Sequence, residues 1–195
     1  MKNKFLISFV IGASIIFISS PITTLASTSS MTLAQATTDT FVPVNIPIGI
    51  PSDLLAPFKK IDNTIYECAV EYKDSIPYEE GFSTVYIKNT KNNTYKAFKF
   101  KSAQPNAQIT ALKVACGSGD TLYIITGSAF GTLSYGGSVY SLDVNTCKTK
   151  LVAPPFNSSE QIVDAKLDGN KLNLTCYLFD DEALNYITYT RSVNL

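Results

Sequence analysis

The stretch Gly119-Asp120-Thr121-Leu122-Tyr123-Ile124, followed after a loop by Gly137-Ser138-Val139-Tyr140-Ser141-Leu142-Asp143, decides the fold. A glycine–aspartate pair supplies a tight turn. The run after it is apolar, β-branched and aromatic, as a half-buried strand requires. A second such run follows the loop, and Lys148-Thr149-Lys150-Leu151-Val152 follows a further turn. Together these read as strand, turn, strand, loop, strand.

The same grammar recurs on both sides with a period near fifty. Upstream, Asp62-Asn63-Thr64-Ile65-Tyr66 is followed by a long loop, then Thr84-Val85-Tyr86-Ile87 and Thr94-Tyr95-Lys96-Ala97-Phe98. Downstream, Gly169-Asn170-Lys171-Leu172-Asn173 is followed by a shorter loop and Leu184-Asn185-Tyr186-Ile187-Thr188. Ala111–Cys116 and Ile162–Leu167 add a strand before the turns of the second and third units. Pro57, Pro105 and Pro155 punctuate the joins. Long amphipathic helical periodicity is missing.

The second unit resembles a blade of the β-propeller repeat families, which share a turn, "leu-tyr", a loop and "val-tyr-x-leu-asp" before the last hairpin. The resemblance extends loosely over residues 61–195 and points to no specific family. Propellers close with about four to eight blades, whereas three units at most are present here. The expected fold is therefore all-β: three antiparallel hairpin or meander repeats packed as a sandwich or partial propeller. Packing within one chain is preferred to several chains completing a ring.

Residues 1–26 read as a secretory signal peptide. Lys2 and Lys4 precede a nearly unbroken apolar run from Phe5 to Ile18, Pro21 ends it, and Thr24-Leu25-Ala26 offers small residues for cleavage. Fourteen helical residues reach only ~21 Å, short of a ~30 Å bilayer core. Ala34-Gln35-Ala36 is a second cleavage candidate. No cysteine lies near either position, which argues against a bacterial lipoprotein anchor. Residues 27–58 are rich in Ser, Thr and Pro, and form a leader followed by an extended arm. Along Phe41–Ile50 the arm lays Val44, Ile46 and Ile48 on a surface, and Ser52-Asp53-Leu54-Leu55 can cap a short helical turn. Residues 59–195 form the repeat domain. The expected location is secreted or periplasmic, with no membrane span in the mature form.

Past the signal peptide, 14 basic residues face 16 acidic ones, a net charge of −2. Nucleic acid is not an expected partner, because that needs a strongly basic face. The four cysteines, in an exported chain, predict two disulfides, Cys116–Cys147 and Cys68–Cys176. Sequons stand at Asn92, Asn157 and Asn173.

The chain has no histidine. That excludes Ser-His-Asp and Cys-His nucleophilic systems and His-bearing zinc sites. No phosphate loop precedes a helix, and no metal or cofactor is expected. Gly127, Gly131, Gly136 and Gly137 surround Phe130 and Tyr135 in one loop, read either as a flexible hairpin or as an aromatic binding loop. The long loops 71–83, 127–137 and 178–184 occupy equivalent places in their units, so they should emerge at one end. That end would carry acidic and aromatic side chains, and Lys88, Lys91, Lys96, Lys148 and Lys150 would lie at the other. Candidate binding residues are Tyr78, Glu79, Glu80, Phe130, Tyr135, Asp180, Asp181 and Glu182. An acidic, tyrosine-bearing face suits a basic protein partner. The leading expectation is an exported, non-enzymatic protein-binding module, such as an inhibitor or neutralising partner of a basic protein. The alternative is a carbohydrate- or cell-surface-binding β module, and a carboxylate-dependent hydrolase ranks last.

Overall fold

The computed structural model describes residues 38–46, 57–72, 81–104, 106–131, 135–183 and 185–195. The signal peptide, Ile48, the turn at residues 52–55 and Tyr78, Glu79 and Glu80 lie outside the described residues. Every described regular element is a strand. They are β1 (Thr40–Val44), β2 (Lys59–Lys60), β3 (Tyr66–Tyr72), β4 (Ser83–Asn89), β5 (Thr94–Lys101) and β6 (Ile109–Ser118). The chain continues through β7 (Thr121–Ser128), β8 (Gly137–Asp143), β9 (Thr149–Ala153), β10 (Glu160–Asp168), β11 (Lys171–Phe179) and β12 (Tyr186–Asn194). The last strand begins two residues later than the sequence suggests and runs to Asn194, because Asp180 and Asn185 hydrogen-bond to each other just before it. Among the described residues no helix is long and apolar enough to cross a membrane.

The turns follow from local chemistry. Asn63, Gly119 and Gly169 have φ of 59°, 56° and 57° and open the second strand of their respective units. Asn and Gly are the residues that tolerate this left-handed backbone. Asn93, at the β4–β5 turn, and Cys147, at the β8–β9 turn, adopt the same conformation. Hairpin then follows hairpin: β2 to β5, β6 to β9, and β10 to β12.

Two antiparallel sheets result, ordered β1-β5-β4-β3-β2 and β12-β11-β10-β8-β7-β6, with β9 also on β8. Neither order closes on itself, so the packing is sandwich-like. β1 extends the arm expected from the sequence and pairs along β5 from Thr40↔Lys101 to Val44↔Ala97. Pro43 sits there at a sheet edge, where the absence of its N–H is tolerated. Val44 and Ile46 cover Ala69, Tyr86 and Ala97 on the outer face of this sheet.

The second sheet folds over at a joint. β10 meets β8 only at Ile162↔Gly137, then packs over β6 and β7, with Lys113 of β6 2.7 Å from Asp164 of β10. β7 is consequently buried on both faces. Leu122 and Ile124 join Val85, Ile87, Phe98 and Phe41 in one core, while Tyr123 and Ile125 join Ile162, Ala165, Leu172 and Leu174 in another.

Neither expected cysteine pairing is formed in the structure. Cys68 and Cys147 belong to the first core, Cys116 and Cys176 to the second. Both Cys116–Cys147 and Cys68–Cys176 would have to connect opposite faces of the β7 layer. All four side chains are free thiols. Burial pushes the Cys68 thiol up to about 12, and burial followed by the Asp164 charge pushes Cys116 up to about 11.

Candidate functional site

The long-loop end is assembled pairwise. Gly81, closing the first loop, donates its N–H to the Ala129 carbonyl at 2.5 Å. The next side chains, Phe82 and Phe130, meet edge to face at 5.7 Å, both of them exposed. At the other side of the second loop, Tyr135 reaches the third unit. Its ring lies 6.1 Å from Phe179 at only 8° between planes, and 6.0 Å from Tyr177. Tyr177 in turn stacks on Tyr186 at 4.1 Å. Strand register explains this shelf: Tyr177 and Phe179 alternate onto one face of β11, and Tyr186 is the cross-strand partner of Phe179. Tyr135 and Tyr186 remain 49% and 46% exposed.

The acidic turn lies against this shelf. Asp180 follows Phe179, and Asn185 precedes Tyr186. The Asp180 N–H donates to the Asn185 carbonyl at 3.0 Å, and the Asn185 side-chain amide donates to the Asp180 carboxylate at 3.0 Å. The turn is thereby held shut, leaving Asp181 and Glu182 exposed at its tip. Ala183 completes it at a φ of 55°.

A cleft of about 530 Å³ opens beside Phe130 and runs past Gly131, Gly136 and Gly137 to Gln161. The Gln161 side-chain carbonyl accepts the N–H groups of Tyr135 at 2.9 Å and Gly136 at 3.0 Å, which fixes Tyr135 at the cleft rim. Glu160 closes the floor. Its carboxylate accepts from Arg191 Nε at 2.8 Å, from the Tyr189 hydroxyl at 2.7 Å and from the Phe156 N–H. Arg191 also lies 4.1 Å over the Phe156 ring. Burial alone would raise the Glu160 carboxyl. The Phe156 N–H, Tyr189, Arg191 and Cys176 outweigh it and hold the carboxyl down to about 2. A carboxylate so fully occupied is a structural anchor, not a reactive group.

The opposite end holds the β4–β5 and β8–β9 hairpins together, with Lys96 Nζ donating to the Val144 carbonyl at 2.7 Å. Lys91, Lys148 and Lys150 are exposed there, and Lys88 pairs with Glu67 at 3.1 Å. Among the described residues no group of three Cys, Asp or Glu side chains could hold a metal ion.

Of the candidates named from sequence, the structure brings Phe130, Tyr135, Asp180, Asp181 and Glu182 to this end, while Tyr78, Glu79 and Glu80 lie outside the described residues. Phe82, Tyr177, Phe179 and Tyr186 were missed. Period-two alternation within β11 and hairpin pairing across the turn are the signals that could have found them.

The fold and this end define an all-β protein of stacked antiparallel hairpins that presents an aromatic shelf and an acidic turn. The chain belongs to the family described as a domain of unknown function, DUF4652, which it matches over residues 24–191. It is similar in fold to the crystal structure of a protein described as a "putative conserved lipoprotein" from Clostridium novyi NT. The TM-score is 0.65 and the identity 21%, over 81% of this chain and 96% of that one. No curated protein matches the chain.

Proposed function

We propose that this is an exported binding protein that captures a basic protein segment on its long-loop end. The observation that carries the reading is the acidic turn at Asp180–Glu182 set against four neighbouring, partly exposed rings, Tyr135, Tyr177, Phe179 and Tyr186. Carboxylates steer a cationic partner. Tyrosine faces then accept Lys or Arg by cation–π contact, each worth about 0.5–2 kcal/mol. Tyr and Phe also contribute large contact areas with few rotatable bonds, which is why interfaces are enriched in them. The apolar leader at residues 5–18 supports a place outside the cytoplasm, as does the description of the Clostridium novyi protein.

The test is affinity capture from culture medium with immobilised protein, followed by mass spectrometry and measured binding of what is retained. A basic partner should bind wild type with an association rate that falls steeply with salt. The Asp181→Lys/Glu182→Lys and Tyr135→Ala/Tyr186→Ala variants should each weaken it by about tenfold or more. Unchanged binding after charge reversal, with glycan-array hits lost in the aromatic variant, would replace this reading with the carbohydrate-binding one.

A further inference from the structure

We propose that β12 is a docking edge through which two copies of this chain join, strand to strand, across a two-fold axis at Thr190. A sheet edge offers a row of unpaired N–H and C=O groups, and proteins normally protect such edges with prolines, charges, bulges or short strands. The other described edges here are protected in those ways. β1 contains Pro43. β2 is two residues long, both lysine. β9 has five residues, exposes Lys150 and meets β8 with a register shift. β6 carries two register shifts and packs against β3, β4 and β5. Where β10 leaves β8, Lys113 bridges from β6 to Asp164.

β12 has no proline, bulge or short length, and its single charge is neutralised within its own fold. Its nine residues, Tyr186-Ile187-Thr188-Tyr189-Thr190-Arg191-Ser192-Val193-Asn194, pair with β11 in unbroken register from Phe179↔Tyr186 to Lys171↔Asn194. It contains no proline, glycine or lysine. Its one charge, Arg191, is turned inward onto Glu160 with a side chain only 11% exposed. Among the described residues no strand pairs with its outer edge.

The strand is also complementary to itself. Antiparallel pairing centred on Thr190 sets Ile187 against Val193, Thr188 against Ser192, Tyr189 against Arg191 and Thr190 against Thr190 of the second copy. Apolar meets apolar and hydroxyl meets hydroxyl, the pairings that stabilise antiparallel strands. Ile187 lies on the core-facing side of β12, in alternation with Tyr189 and Val193, yet it is 64% exposed. The second copy's Val193 covers it and carries the core past the edge. Centring on Arg191 would oppose two guanidinium groups, and centring on Tyr189 would set Ile187 against Arg191, so the Thr190 register is the favoured one. The arrangement is isologous and closed. It leaves the two acidic turns at opposite ends of the joined sheet, so it stands independently of the binding role proposed above.

Sedimentation velocity of the purified chain over a roughly hundredfold range of micromolar concentration tests this. Wild type should pass from monomer to dimer. Thr190→Lys and Thr190→Glu should each remain monomeric, because each opposes its own charge across the axis. Both should keep the wild-type circular dichroism, and the wild-type Tm at the dilution where wild type is itself monomeric, because Thr190 is exposed. An equimolar mixture of the two variants should recover the dimer, and Thr190→Val should keep it. A wild-type monomer throughout, or a dimer indifferent to both charges, overturns the proposal. Failure of the mixture to associate overturns the register at Thr190.

Discussion

Glu160 is a carboxylate 2% exposed to solvent, stabilised by Arg191, Tyr189 and the Phe156 N–H. Its carboxyl stands at about 2 in the folded chain against an ordinary value of 4.5. A depressed carboxyl contributes stability that is fully present above the ordinary value and is lost as pH falls toward the folded one. The contribution, roughly 2–3 kcal/mol, should therefore disappear between about pH 5 and pH 2. Urea denaturation across that range should show a steeper loss for wild type than for Glu160→Gln. Nothing in the sequence around Glu160 marks it out. Its partners are 29 and 31 residues downstream, for Tyr189 and Arg191, and only the pairing of β10 through β11 to β12 brings them together.

At the scale of elements, the glycines between β7 and β8 do something other than make a loop flexible. Gly127 and Gly137 are cross-strand partners, and Gly137↔Ile162 is also the single pairing between β8 and β10. A Cβ at Gly136 would overlap the Ile162 carbonyl, and one at Gly127 would overlap the backbone of Gly136. These positions let β10 approach closely before it folds over the β7 layer. Gly136→Ala should destabilise the chain by about 2 kcal/mol or more, since the obstacle is backbone and cannot move aside cheaply. The expected readout is a lower urea midpoint with an unchanged m-value. Glycine and aromatic residues clustered at 127–137 were visible in the sequence. Whether they formed a mobile binding loop or a tight joint depended on β10, which lies some thirty residues further on.

At the scale of the whole molecule, β7 stands between two cores. Leu122 and Ile125 lie three residues apart in this strand and face opposite ways, one toward the first sheet and one toward β10 and β11. Loss of either core removes support from the layer shared with the other. Leu122→Ala and Ile125→Ala should each cost about 2–5 kcal/mol. Both should lower one common unfolding transition rather than split it. Far-ultraviolet circular dichroism and tyrosine fluorescence monitored together would show coincident curves, and separation of the two probes in either variant would refute the coupling.

The sequence by itself determined the strands, their turns and the threefold recurrence, because alternation of side chains and the backbone preferences of Asn63, Gly119 and Gly169 are local properties. It also laid Val44 and Ile46 along an extended arm. The tertiary structure alone decided how the units stack, and with that the rest. Stacking separated Cys116 from Cys147 and Cys68 from Cys176, gathered Tyr135 with Tyr177, Phe179 and Tyr186, and left β12 as the unprotected edge. The physical reason is that a strand's two faces and its edges are equivalent in local terms. Which face is buried, and which edge stays open, depends on what the distant chain brings against it.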